Sequence, residues 1–73
     1  MTEETAINLI VCIDARMQEV HKLNMANWRK LEMIDEMITS LNELIIVDEK
    51  NSARYVVKIM DLQSDTRHLK NGN

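Results

Sequence analysis

The 73 residues are enough for one small domain, whose single hydrophobic core supplies only about 3–5 kcal/mol of net stability. A hydrophobic fraction of 45% excludes a disordered chain, and twelve acidic against nine basic residues argue against duplex DNA as the main partner. One cysteine excludes an internal disulfide, and two histidines make a poor metal set, so we predict neither metal nor cofactor. Association is the remaining route to stability, and we therefore expect a homodimer.

The first predicted helix, helix 1, covers about residues 5–22. Thr2 is a plausible N-cap, and Glu3 and Glu4 follow it where the helix dipole favours negative charge. Apolar residues recur at helical spacing along one face, and Leu9 and Leu23 widen it. The face consists of Ala6, Ile10, Ile13, Met17 and Val20.

The second predicted helix, helix 2, covers about residues 27–47, with Asn27 as its N-cap. Residues at successive spacings of three and four stack on one helix face and form what we call the α2 seam. Met33, Met37 and Leu44 flank it, so helix 2 should contact two neighbours. Because residues 2–71 contain no Gly or Pro, helices 1 and 2 could instead form one long rod. The α2 seam consists of Leu31, Ile34, Ile38, Leu41 and Ile45.

Residues 48–52 are predicted to form a loop. The third predicted helix covers about residues 52–69, with Ser52 as a possible N-cap. An alternative is a β-hairpin that pairs residues 44–47 with residues 55–60, but an isolated two-stranded hairpin is only marginally stable. The predicted fold is all-α within a single domain, residues 1–73. It is an antiparallel helical hairpin plus a third C-terminal helix, a small bundle completed by dimerisation.

No constellation of catalytic residues is visible. Met17, His21 and Met25 are each four residues apart and could suit a soft metal, but a core and helix-end interpretation is favoured. Cys12 has apolar neighbours in sequence and is predicted to be a buried structural thiol. The only glycine is Gly72, which excludes a glycine-rich phosphate loop. We therefore predict that the protein is not an enzyme.

The preferred functional hypothesis is a protein-interaction regulator, such as an adaptor, an inhibitor or an antitoxin-like partner. Large side chains of low entropy carry most interface energy, so Trp28 and Tyr55, supported by Met33 and Met37, are the predicted partner-binding residues. The α2 seam would hold the fold or the dimer. The acidic balance suits a partner with a basic surface.

A second hypothesis is a dimeric transcriptional regulator whose basic side chains converge only in the dimer. Its candidate nucleic-acid contacts are Arg29, Lys30, Arg54, Lys58 and Arg67. The start of the chain lacks a basic leader region, and the longest apolar run has five residues, Leu9 to Ile13. With a free cysteine, these features predict a cytoplasmic protein without membrane contact.

Overall fold

The computed structural model describes Met1 to Asn71 and consists of three helices joined by short connections. They are α1 (Glu3–Lys22), α2 (Asn27–Val47) and α3 (Ser52–Lys70), and a 3-10 turn covers Glu49–Asn51. The predicted all-α class is confirmed, and the turn between α1 and α2 replaces the alternative of one long rod. The β-hairpin alternative is wrong, since residues 55–60 lie within α3.

The N-terminus of α1 follows the predicted capping chemistry. Thr2 has extended backbone angles, and its Oγ1 accepts a hydrogen bond from the Thr5 amide at 3.1 Å. Glu3 and Glu4 occupy the first turn, while His21 and Lys22 occupy the last, so both ends complement the helix dipole.

The predicted caps of the other two helices are wrong. Ala26 is the N-cap of α2, while Asn27 is its first residue and donates from Nδ2 to the Leu69 carbonyl oxygen at 3.3 Å. Ser52 likewise begins α3 instead of capping it, and Asn51 precedes it. Both asparagine side chains make tertiary hydrogen bonds, which compete with the local caps that sequence favours.

The three helices run up, down and up, because the short connections make neighbours antiparallel. The closest pair is α2 and α3. The hydrogen bond from Asn27 to Leu69 joins the N-terminal end of α2 to the C-terminal end of α3. Helix α1 packs more loosely across this pair, and ion pairs connect it to α3: Arg54 with Glu3, and Lys58 with Asp14 at 2.5 Å.

The core lies where the apolar stripes of the three helices meet. Spacings of three and four along each helix bring these residues onto the inward face. Ile10 and Ile13 of α1 are half-buried against the core, while Leu23 is exposed. The buried apolar residues are Ala6, Met17, Val20, Ile34, Met37, Leu41, Tyr55, Ile59 and Leu62.

The prediction that Cys12 is a buried thiol is wrong, because its side chain is exposed. It precedes Ile13 by one residue, and a single helical step of about 100° turns it away from the core-facing stripe. The apolar neighbours in sequence were therefore misleading, since adjacent helix residues do not share a face. None of the helices within residues 1–71 combines the length and the apolar character that crossing a membrane requires.

Candidate partner-binding groove

Two of the four predicted partner-binding residues, Tyr55 and Met37, lie in the core instead of on the surface. Tyr55 has no exposed surface and Met37 is 6% exposed, so neither offers a contact to a partner in this structure. Met33 is half-buried against the core. Trp28, in contrast, is 65% exposed.

The α2 seam divides between the core and a groove. Ile34 and Leu41 are fully buried, while Ile38 and Ile45 are half-buried against the core. Leu31 is also half-buried, and with Ile38 it lines an open groove. The seam thus holds the fold through Ile34 and Leu41 and exposes an edge on the side of α3.

This groove, which we call the Trp28 groove, lies between α2 and α3 and has a volume of about 670 Å³. Each helix contributes one wall, so the groove follows the contact between the closest helix pair. The α2 wall consists of Trp28, Leu31, Glu32, Asp35 and Ile38, and the α3 wall consists of Gln63, Thr66, Arg67 and Lys70.

The two walls carry opposite charge. Glu32 and Asp35 make the α2 wall acidic, and Arg67 and Lys70 make the α3 wall basic. Arg29 pairs with Glu32 at 3.0 Å, both being more than half exposed. The other three charged residues of the walls, Asp35, Arg67 and Lys70, take part in none of the ion pairs within residues 1–71. These charges are therefore available to a molecule that enters the groove.

The same side of the molecule exposes further apolar residues towards the 3-10 turn. Ile46 lies eighteen residues after Trp28, which is five full turns, so both occupy the same side of α2. On α3, Val56 and Met60 lie on the side of Gln63, at spacings of four and three. Ile46 is 82% exposed and Met60 is 61% exposed. We call the Trp28 groove together with Ile46, Val56 and Met60 the open face.

The sequence singled out Trp28 as a partner contact, Leu31 and Ile38 as seam residues and Arg67 as a nucleic-acid contact, but it did not show that they share one face. The α3 row of the open face has spacings of four, three, four and three, a periodicity as regular as that of the α2 seam. Three of its five members are polar, so a search for apolar stripes passes over it. The row consists of Val56, Met60, Gln63, Arg67 and Lys70.

A second, buried polar cluster joins the start of the chain to the connection before α3. Asn51 donates from Nδ2 to both carboxylate oxygens of Asp48, at 3.1 and 3.0 Å, and to the Met1 carbonyl oxygen at 3.3 Å. The Tyr55 hydroxyl donates to Asp48 Oδ2, and the Met1 amine lies 3.6 Å from Asp48 Oδ1. Asp48 is 3% exposed and is thus a buried carboxylate surrounded by donors.

The hydrogen bonds of this cluster shift the pKa of both its acidic groups. The hydrogen bond from Tyr55 is the main reason that the pKa of Asp48 lies below its usual 3.8, with Asn51 and the Met1 amine acting in the same direction against burial. Burial, then the hydrogen bond and charge of Asp48, raise the pKa of Tyr55 to about 12. Asp48 is consequently ionised and Tyr55 protonated near neutral pH, so neither exchanges protons there.

Within one copy of the chain, the five predicted nucleic-acid contacts do not form one basic face; their convergence in a dimer stays a prediction. Arg54 pairs with Glu3, and Lys58 pairs with Asp14 and Asp61. The hydrogen bond to Asp14 is the main cause that raises the pKa of Lys58 above its usual value. Arg29 pairs with Glu32, Lys30 is half-buried, and Arg67 lies in the Trp28 groove. Neighbouring carboxylates thus offset three of the five cations, an arrangement that disfavours phosphate binding.

The possible soft-metal set is separated by burial. Met17 lies in the core at 6% exposure, His21 is exposed, and Met25 is half-buried in the turn after α1. Within residues 1–71, no three His, Cys, Asp or Glu side chains converge on a position for a metal ion.

Comparison with protein-family models, with curated proteins and with solved structures gives no match for this chain.

Proposed function

We propose that the protein is a small, non-enzymatic interaction regulator that binds an amphipathic helix of another protein in the Trp28 groove. As an adaptor, an inhibitor or an antitoxin-like partner, it acts by covering a helical surface on its target. The observation that carries this proposal is the 65% exposure of the single Trp at the edge of a groove between two helices. An exposed aromatic at the edge of a groove, with apolar residues such as Leu31 and Ile38 beside it, is typical of an interface anchor.

The charges of the groove describe the partner's chemistry. A helix that lies along the groove would place basic residues against Glu32 and Asp35, and acidic residues against Arg67 and Lys70. Its apolar face would cover Trp28, and its length would follow the groove. The partner is therefore an amphipathic helix with charges of opposite sign on its two flanks, rather than a uniformly basic surface.

The groups with shifted pKa support a non-enzymatic role. Asp48, Tyr55 and Lys58 each bind a neighbouring side chain that connects segments of the fold, and all lie outside the Trp28 groove. We further propose that the protein acts in the cytoplasm, because an exposed free thiol, Cys12, persists in a reducing compartment.

The test is a comparison of Trp28→Ala with Val47→Ala, both at exposed positions of α2, the latter 73% exposed. Partners captured from the native host by the wild type are identified by mass spectrometry, purified and titrated by isothermal calorimetry. We expect binding by the wild type and by Val47→Ala, and at least a tenfold weaker affinity for Trp28→Ala. Equal affinities for all three proteins would refute the assignment of the groove.

A further inference from the structure

The open face of α2 and α3 has the pattern of charge and apolar surface that a second copy of the same chain can match. One end of the face is charged, with Glu32 and Asp35 on α2 beside Arg67 and Lys70 on α3. The other end, near the 3-10 turn, exposes the apolar Ile46, Val56 and Met60, and the exposed, uncharged Thr39 and Asn42 of α2 lie between the two ends. This separation along the helices decides which symmetry a dimer can adopt.

A two-fold axis parallel to the helices places α2 of one copy over α3 of the other at the same height along the axis. Glu32 and Asp35 then meet Arg67 and Lys70 in both halves of the interface, and the apolar ends cover each other. An axis perpendicular to the helices would instead place the charged end of each copy on the apolar end of the other. Of these two arrangements, only the first places the acidic α2 wall of each copy against the basic α3 wall of the other and covers the apolar ends.

We propose that, in the free protein, this face is the interface of a homodimer with its two-fold axis parallel to the helices. The inference rests on the proposed function in that the second copy occupies the groove that a partner helix would enter. Each copy contributes an α2–α3 hairpin. The two hairpins stack face to face as a four-helix bundle, and one α1 lies on each outer side of it.

The size of the face fits a dimer of modest affinity. The molecule measures 37 × 18 × 14 Å, so its broad side offers on the order of 600 Å² per copy, against ~800 Å² per partner in a standard interface. The buried surface includes Trp28, which supplies the large aromatic contact. We expect a dissociation constant in the micromolar range, weak enough for a partner helix to displace the second copy.

Paired charge reversals test the symmetry directly. One variant combines Glu32→Lys with Asp35→Lys, so that both walls are basic, and the other combines Arg67→Glu with Lys70→Glu, so that both walls are acidic. We expect each variant alone to dimerise at least tenfold more weakly than the wild type in sedimentation equilibrium. An equimolar mixture should recover dimers, because basic walls then face acidic walls in both halves. Circular dichroism confirms that each variant is folded.

A control variant carries Val11→Lys and Val57→Lys, which change exposed apolar residues outside the open face, at 57% and 58% exposure. It should dimerise as the wild type does, and the Trp28 emission of both should shift to the blue as concentration rises. A wild type that stays monomeric up to about 1 mM would overturn the proposal, as would charge-reversed variants that do not recover dimers when mixed.

The two proposals fail in different ways. A monomeric wild type that still binds a purified partner through Trp28 would refute the homodimer and leave the partner-binding function. A charge-dependent homodimer whose purified candidate partners bind Trp28→Ala as strongly as the wild type would refute the partner-binding function and leave the dimer.

Discussion

Tyr55→Phe tests the buried polar cluster because it removes one hydroxyl and retains the ring that packs in the core. The hydroxyl donates to the Asp48 carboxylate, whose other contacts are Asn51 and the Met1 amine. A hydrogen bond to a charged group contributes about 1.5–3 kcal/mol, and its loss leaves a buried carboxylate with fewer donors. For a domain of this size, that loss lowers the melting temperature by roughly 6–24 °C.

The effect has a pH dependence whose sign follows from the two pKa shifts. The pKa of Asp48 is lowered from 3.8 in the folded state, so its contribution to stability is present above that pH and disappears as the pH falls below it. The pKa of Tyr55 is raised from 10.0 to about 12, so its contribution is present below pH 10 and is lost between pH 10 and 12. Tyr55→Phe should therefore begin acid unfolding at a higher pH and lose the tyrosine-dependent alkaline transition.

The chain contains one tyrosine, so its ionisation can be followed by ultraviolet absorbance without interference. Urea unfolding of wild type and Tyr55→Phe across pH gives the free energies of unfolding. Thr66→Val is the matched control, because it removes another hydroxyl from α3, one that donates only to the uncharged Leu62 carbonyl oxygen. It should cost under about 1 kcal/mol. Tyrosine titrating near pH 10 in the folded protein, with Tyr55→Phe as stable as the wild type, would refute the reasoning.

Leu41→Ala removes a fully buried residue of the α2 seam and should lower the free energy of unfolding by about 2–5 kcal/mol. Glu36→Ala, on the exposed side of α2, should change it by less than about 0.5 kcal/mol. Similar thermal midpoints for the two variants would mean that the seam does not form the core. Trp28→Ala should lower the free energy of unfolding by less than about 1 kcal/mol, because most of the ring is exposed. For the same reason, the Trp fluorescence of the dilute wild type should be red-shifted and readily quenched. Blue-shifted, quencher-resistant emission at every concentration would contradict this. Lys58→Ala and Asp14→Ala, measured singly and together, should give a coupling of about 0–1 kcal/mol that salt reduces. Because the ion pair raises the pKa of Lys58, that coupling should be present below pH 10.5 and decline above it; a coupling that survives high salt and high pH would refute an electrostatic origin.

The sequence by itself determined the three helices and most of their boundaries, because helical spacing and capping act locally. The apolar stripes identified Ile34, Leu41, Met17 and Val20 as inward-facing, and each is buried. The hydrophobic period is a property of consecutive residues, so no knowledge of neighbouring helices was needed to find it.

Only the tertiary structure decided which polar side chains lie inside. The buried Tyr55 hydroxyl donates to Asp48, which the sequence placed in a loop, and Asn51 donates to the same carboxylate. Asn27 contacts Leu69, forty-two residues away, and such a pair leaves no periodic signal in the chain. The opposed charges of the Trp28 groove likewise arise from two helices that meet only after folding. Local chemistry thus determines the elements, whereas burial and charge pairing depend on which elements become neighbours.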